Sequence, residues 1–159
     1  MRRFLLLSTL FLGAANTAYA TDIGSSSKFG IGAETGYPMI ANLSMKVWFN
    51  DQYGLSMRAG ANFFDYFETA VRFEGVAYRG QWFDWADLPF IWHVGLDLGF
   101  EMDDRSPDWQ VGPEAGFGAA LQFSSFNGEV FVQHGIGIYP VTVWDTVEPR
   151  VSAGFRYYF

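Results

Sequence analysis

Arg150-Val151-Ser152-Ala153-Gly154-Phe155-Arg156-Tyr157-Tyr158-Phe159 closes the 159-residue chain and alternates without a break. Val151, Ala153, Phe155, Tyr157 and Phe159 fall on one face, and Arg150, Ser152, Gly154, Arg156 and Tyr158 on the other. Successive side chains of a strand point to opposite faces, so this period of two reads as a β-strand with one apolar and one polar face. Such a strand is a piece of wall that separates two different environments.

The same rule, carried backwards, finds seven more walls. Val130, Val132, Ile136 and Ile138 alternate with Glu129, Phe131, Gln133, Gly135, Gly137 and Tyr139. Val111, Ala115, Phe117, Ala119, Leu121 and Phe123 alternate with Gln110, Gly112, Glu114, Gly116, Gly118 and Gln122, with Pro113 marking a local irregularity because proline cannot donate to a ladder. Phe90, Trp92, Val94, Leu96, Leu98 and Phe100 stand against His93, Gly95, Asp97, Gly99 and Glu101. A fourth strand runs from about Phe67 to Arg79, with Arg72 and Glu74 on its polar face. Leu55, Met57, Ala59, Ala61 and Phe63 oppose Ser56, Arg58, Gly60 and Asn62; Ala41, Leu43, Met45, Val47 and Phe49 oppose Asn42, Ser44, Lys46 and Trp48. The first strand covers about Phe29 to Thr35, with Glu34 on the polar face. Asn50-Asp51-Gln52 supplies the residues a tight hairpin turn needs.

Arg2 and Arg3, an apolar run from Phe4 to Leu12 and the small residues up to Ala18-Tyr19-Ala20 have the three parts of an export signal. We expect cleavage after Ala20 and a single domain over residues 21–159. Removing Arg2 and Arg3 from the ten basic residues leaves eight against seventeen acidic ones, a charge of −9 that argues against nucleic acid. The chain has no cysteine. Its stability must come from burial, sheet closure or a membrane. After the signal no apolar run approaches the roughly eighteen residues of a transmembrane helix, and the only other structure that satisfies every backbone group in lipid is a closed barrel.

Aromatic residues gather at two levels. Phe49, Tyr53, Trp82, Phe83, Trp85, Phe90, Phe123, Tyr157 and Phe159 mark one, and Phe63, Phe64, Tyr66, Phe67, Phe100, Trp109, Tyr139 and Trp144 the other. Belts bounding an apolar band are expected of a membrane barrel. A strand that ends on Phe159, with Tyr157 and Phe155 before it, resembles the assembly signal of small outer-membrane β-barrel proteins. That resemblance implies an all-β, eight-stranded antiparallel up-and-down transmembrane barrel in the outer membrane of a Gram-negative cell. It also implies a monomer inserted by the barrel-assembly machinery among lipid and lipopolysaccharide. Both termini would then be periplasmic, with the turns near Asp51, Trp85 and Phe126, and the loops near Tyr37, Asp65, Arg105 and Asp145 extracellular. The competing reading is a soluble lipocalin-like barrel with the apolar face inside, since periodicity does not say which face is inner.

In the membrane reading the inner face carries Glu34, Lys46, Arg58, Arg72, Glu74, His93, Asp97, Glu101, Glu114, Glu129, Arg150 and Arg156. Both signs are present, so a paired network is expected, because an unpaired buried charge costs several kcal/mol. Hairpin counting about Asp51 and Asp65 sets Lys46 beside Ser56, Ser56 beside Glu74, and Arg58 beside Arg72. Counting about Arg105 sets Asp97 beside Glu114, a carboxylate pair that calls for an arginine, a proton or a cation. Inward glycines leave room that large inward side chains such as Trp48, Tyr78, Phe131, Tyr139 and Tyr158 fill, or that forms a narrow pore. No cofactor motif, zinc-ligand spacing or phosphate loop is present.

The last hairpin, from Gly128 through His134 to Glu148, resembles in part that of the lipid A 3-O-deacylase family. The resemblance implies a His-x-Ser pair and a downstream glutamate on the outer wall, with His134 and Glu148 as candidates. Ile136 stands where the serine belongs, so the attacking oxygen is missing. The loops are short and acidic, with Asp65, Glu68, Asp103, Asp104, Asp108, Asp145 and Glu148 at their tips. They form a hydrophilic rim or bind divalent cations.

Overall fold

The computed structural model describes residues 29–37, 40–61, 66–101, 108–123, 125–139 and 146–159, apart from the side chains of Tyr66, Trp82, Glu101, Asp108 and Thr146. The export signal and its Ala20 cleavage site lie outside the described residues, as do Asn62, Phe63, Phe64, Asp65, Asp103, Asp104, Arg105, Trp144 and Asp145.

Eight strands follow one another: β1 (Phe29–Tyr37), β2 (Ala41–Trp48), β3 (Tyr53–Ala61), β4 (Tyr66–Phe83), β5 (Ala86–Glu101), β6 (Asp108–Phe123), β7 (Gly128–Tyr139) and β8 (Thr146–Tyr158). Each is antiparallel to the next, and β1 pairs with β8 to close the barrel. Gly30 faces Tyr158 across that seam, and the Phe159 amide donates to the Phe29 carbonyl at 2.9 Å. The described chain thus starts and ends at one end of the barrel, together with the tight turns. At the β2–β3 turn the Asn50 carboxamide accepts from the amides of Gln52 and Tyr53 at 2.9 and 2.8 Å, the local bonding that favours asparagine in turns. At the β6–β7 turn Asn127 takes the left-handed conformation (φ 51°), which asparagine tolerates better than most residues.

Burial alternates along the walls and settles which face is inner. Leu96, Phe117 and Val147 are 59 %, 66 % and 66 % exposed on the outer face, whereas Lys46, Glu74, Asp97 and Glu129 are fully buried inside. A lipocalin-like interior would be apolar; this one is charged.

Several local expectations change. β1 runs two residues further, because β8 continues to pair through Tyr37↔Val151. β4 reaches Phe83, and a register shift between Val76 and Tyr78 inserts an extra residue against β5. An inserted residue reverses the alternation beyond it. Tyr78, expected in the lumen, is therefore on the outer face, its ring 6.2 Å from that of Phe90. Tyr139, which alternation assigned inward and the outer belt also claimed, is fully buried inside. Pro113 leaves the β5 register intact at Leu96↔Pro113, while pairing with β7 stops at the neighbouring Glu114.

Two registers differ from simple counting by two residues. Lys46 does face Ser56, but Ser56 faces Arg72 and Arg58 faces Ala70, while Gly95 rather than Asp97 faces Glu114. A two-residue slip keeps every side chain on its own face, so the hydrophobic pattern cannot detect it.

Inward glycines let bulky lumen groups approach the wall. A Cβ on Gly154 would stand 2.6 Å from the Phe131 ring and 2.5 Å from the Ala33 carbonyl oxygen, whereas one on Gly80 would meet nothing closer than the Tyr78 ring at 3.2 Å. Overpacking of this kind costs about 1–3 kcal/mol. Gly154→Ala should lower the urea-unfolding stability by that amount, while Gly80→Ala should stay within about 0.5 kcal/mol; equal midpoints would contradict the packing described.

Candidate functional site: the charged lumen

Strand alternation brings the inward side chains to a common interior, where they sort into two tiers. Toward the termini, Lys46 Nζ lies 2.6 Å from Glu74 Oε2 and 3.8 Å from Glu129 Oε1, and Arg156 Nη1 lies 2.8 Å from Glu129. Ser56 donates to Glu74, although their backbones are not opposite each other. Arg156 Nε donates to Ser44 at 2.9 Å, and Gln122 Nε2 to Glu129 at 2.8 Å.

On the terminus side of this tier stand Trp48 and Tyr158, and apolar side chains pack beside the ion pairs. Trp48 Nε1 donates to the Tyr158 hydroxyl at 3.3 Å, Val76 packs against that pair, and Ile91, Ala120 and Phe131 form a second cluster. The two tier cations each lie over an aromatic ring: Lys46 Nζ is 3.9 Å from the Trp48 ring centroid and the Arg156 guanidinium 3.8 Å from that of Phe131. Cation–π contact of this sort strengthens when water is excluded.

Toward the loops, three arginines hold the second tier. Arg58 Nη2 lies 2.6 Å from Glu68, 2.9 Å from Asp97 and 3.4 Å from Glu114, and its Nη1 lies 3.6 Å from Glu34. Arg72 binds Glu114 through Nε and donates from Nη1 to Gln133 at 2.8 Å. Arg150 lies 2.5 Å from Glu68 and 2.9 Å from Asp97, donates to the Tyr139 hydroxyl, and reaches Glu148 at 3.7 Å. Tyr139 in turn donates to Asp97 at 3.0 Å. The carboxylates of Asp97 and Glu114 are thus bridged by Arg58, the arginine solution to that pair.

Of the residues expected inside, Glu34, Lys46, Arg58, Arg72, Glu74, His93, Asp97, Glu114, Arg150 and Arg156 are buried there. The Glu101 side chain lies outside the described part. His93 is buried beside Gly116 and Gly135, which leave space for its ring. Glu68 is a correction: it is not a loop residue but an almost fully buried ligand of Arg58 and Arg150. The signal was available, since counting back from Arg72 by twos reaches Ala70 and then Glu68.

The hairpin residues of the acyl-transfer reading part company. His134 points outward, its ring edge-on to Phe117 at 5.6 Å, with Nδ1 donating to the Arg150 carbonyl at 3.1 Å. Glu148 faces Gly137 on the inner register and leans on Arg150. The two lie on opposite sides of the wall, and Ile136 is on the outer face with His134. Phe155, Tyr157 and Phe159 are also on the outer face.

These features define a closed eight-stranded antiparallel barrel with an apolar exterior and a lumen filled by ion pairs. No protein-family model, curated protein or solved structure matches the chain.

Arg58 is the most heavily engaged cation, and truncating it strands buried carboxylates. Breaking a buried ion pair by removing one partner costs about 3–5 kcal/mol. Arg58→Met should therefore destabilise the barrel by that amount in denaturant titration, and the added substitution Glu68→Gln should recover part of the loss. Additive losses in the double variant would contradict the coupling.

Proposed function

We propose that the chain is an integral outer-membrane barrel with a structural or envelope-associated role and a lumen blocked by its own side chains. The observation that carries this reading is the inverted sidedness of the wall, with apolar side chains outside and buried charge inside, as a strand-built membrane protein requires and a water-soluble one does not. Closure leaves no unpaired sheet edge between β1 and β8 to face lipid.

An aromatic array supports it. Around the terminus end the rings of Phe83, Trp85, Phe123 and Phe126 follow one another at 4.9, 5.7 and 4.7 Å, Phe155 lies 6.5 Å beyond, and Tyr157 meets Phe159 at 5.2 Å. At the other end Tyr37, Phe67, Phe100 and Trp109 stand exposed on the outer face. Aromatic side chains gathered in this way belong at a membrane–water boundary. In this reading the termini are periplasmic, Phe155, Tyr157 and Phe159 engage the assembly machinery, and the wall is surrounded by lipid and lipopolysaccharide.

Expressed with its leader, the protein should fractionate with the outer membrane and migrate differently on gels before and after heating in detergent. Recovery in a detergent-free periplasmic extract would overturn the assignment. Deleting Phe159 should lower the amount assembled severalfold. Because ion pairs and the large side chains beside them occupy the lumen, planar bilayers containing the protein should show no steady conductance. Lipid A from expressing cells should keep its mass, with or without His134→Ala, since His134 and Glu148 lie on opposite faces.

A further inference from the structure

The barrel ends unevenly on its terminus side. β3 pairs with β4 only as far as Tyr53↔Gly75, whereas β4 and β5 stay paired to Phe83↔Ala86, and β5 and β6 to Ala86↔Phe123. From Trp92, which faces Gly75, to Ala86 is six residues of β5, so about 20 Å of sheet hangs beyond the start of β3. β6 flanks this overhang on one side. On the other side β4 is its edge, and the last backbone bond across that edge among the described residues runs from the Val76 amide to the Gln52 carbonyl at 2.9 Å. Among the described residues no strand pairs with residues 77–81 on that side.

The edge is regular, bare and fixed in place. The two register shifts lie at Val76/Tyr78 and Gln81/Phe83, which leaves Tyr78, Arg79, Gly80 and Gln81 in step with Phe90, Pro89, Leu88 and Asp87. A Cβ on Gly80 would meet no backbone atom nearer than the Leu88 carbonyl of β5 at 3.8 Å; in the closed wall, Cβ atoms on Gly60 and Gly95 would meet carbonyls of adjoining strands at 2.4 and 2.3 Å. No lysine or proline guards residues 77–81, although both are usual on exposed edges. Tyr78 lies 6.2 Å from Phe90, while Arg79 donates from Nη2 to the Asp51 carbonyl at 3.0 Å and its Nη1 lies 3.9 Å from Asp87. These contacts order the edge before anything pairs with it, which favours binding.

We propose that residues 77–81 form a docking edge at which an extended segment of another protein adds a strand to the overhang. Amides and carbonyls at a sheet edge are matched in spacing by another extended main chain, and this mode of recognition needs no cavity. The added strand runs antiparallel to β4, in line with β3, whose ladder it continues. At about 3.3 Å per residue it meets Tyr53 after roughly six residues and must end or turn away there. The fitting partner is therefore a short segment with alternating apolar and polar side chains, one set beside Tyr78 and the other beside Arg79. A second copy of the barrel does not fit. Two barrels inserted the same way round are related by rotation about the membrane normal, and with strands tilted by about 40° their β4 edges would cross at about 80° instead of running antiparallel. That exclusion rests on the membrane reading, which fractionation tests separately.

The full mature chain, folded in detergent micelles, can be titrated with the capped hexapeptide Thr-Val-Thr-Val-Thr-Lys while amide exchange is followed by NMR. Exchange at residues 77–81 should slow at least tenfold and saturably, with residues 130–136 of β7 unchanged. A counterpart peptide carrying proline at its third and fifth positions should have no effect. In cells, p-benzoylphenylalanine in place of Gln81 should crosslink to one extended segment of another protein, and that segment, made synthetically, should slow the same amides. Crosslinking to a second copy of the barrel or within its own chain, no crosslink, equal effects of the two hexapeptides, or no slowing by the first of them would each overturn the proposal.

Discussion

Arg58 on β3 touches carboxylates from β1, β4, β5 and β6, and this shared guanidinium is the constraint on which the interior depends. Ladder bonds close the sheet, but they leave the lumen unspecified. The arginines decide its shape by tying walls that are not neighbours: Arg150 on β8 reaches Glu68 on β4 and Asp97 on β5, and Arg72 on β4 reaches Gln133 on β7. A planar guanidinium with five donors can serve several carboxylates at once, which a lysine ammonium does less well. The single lysine of the network accordingly sits where the demand is smaller, between Glu74 and Glu129.

The exterior follows from the same arrangement. With period-two alternation, each charge turned inward obliges its chain neighbours to face outward, and the outer face is dominated by Phe, Val, Ile and Leu. In water such a surface would be a liability for association. In the membrane setting proposed above it would be the complement of the interior, where the closed ladder satisfies the backbone and ion pairs engage the charged groups. Glycine has a matching role inside: Gly154 lets Phe131 lie against β8, and Gly116 makes room for His93.

Much of this was legible from alternation alone. The strand number, the common face of the set from Glu34 to Arg156 and the opposite face of His134 follow from counting by twos, and the turn at Asn50 from its turn-forming residues. Glu68 is equally legible, two inward steps before Arg72, although its place close to Asp65 also suits a loop residue. Tyr78 was not legible, because the bulge that turns it outward depends on how β4 meets β5. The partners of Asp97 were misplaced for a related reason, since a register two residues off preserves every face.

By itself, the sequence determined how many walls there are, where they turn and which side chains share a face, because alternation is a local property of an extended chain. Only the tertiary structure decided that the charged face is the inner one, which residues stand opposite one another and which arginine serves which carboxylate. Those outcomes depend on loop lengths, on two register shifts between β4 and β5 and on closure between β1 and β8, where residues more than a hundred positions apart become neighbours.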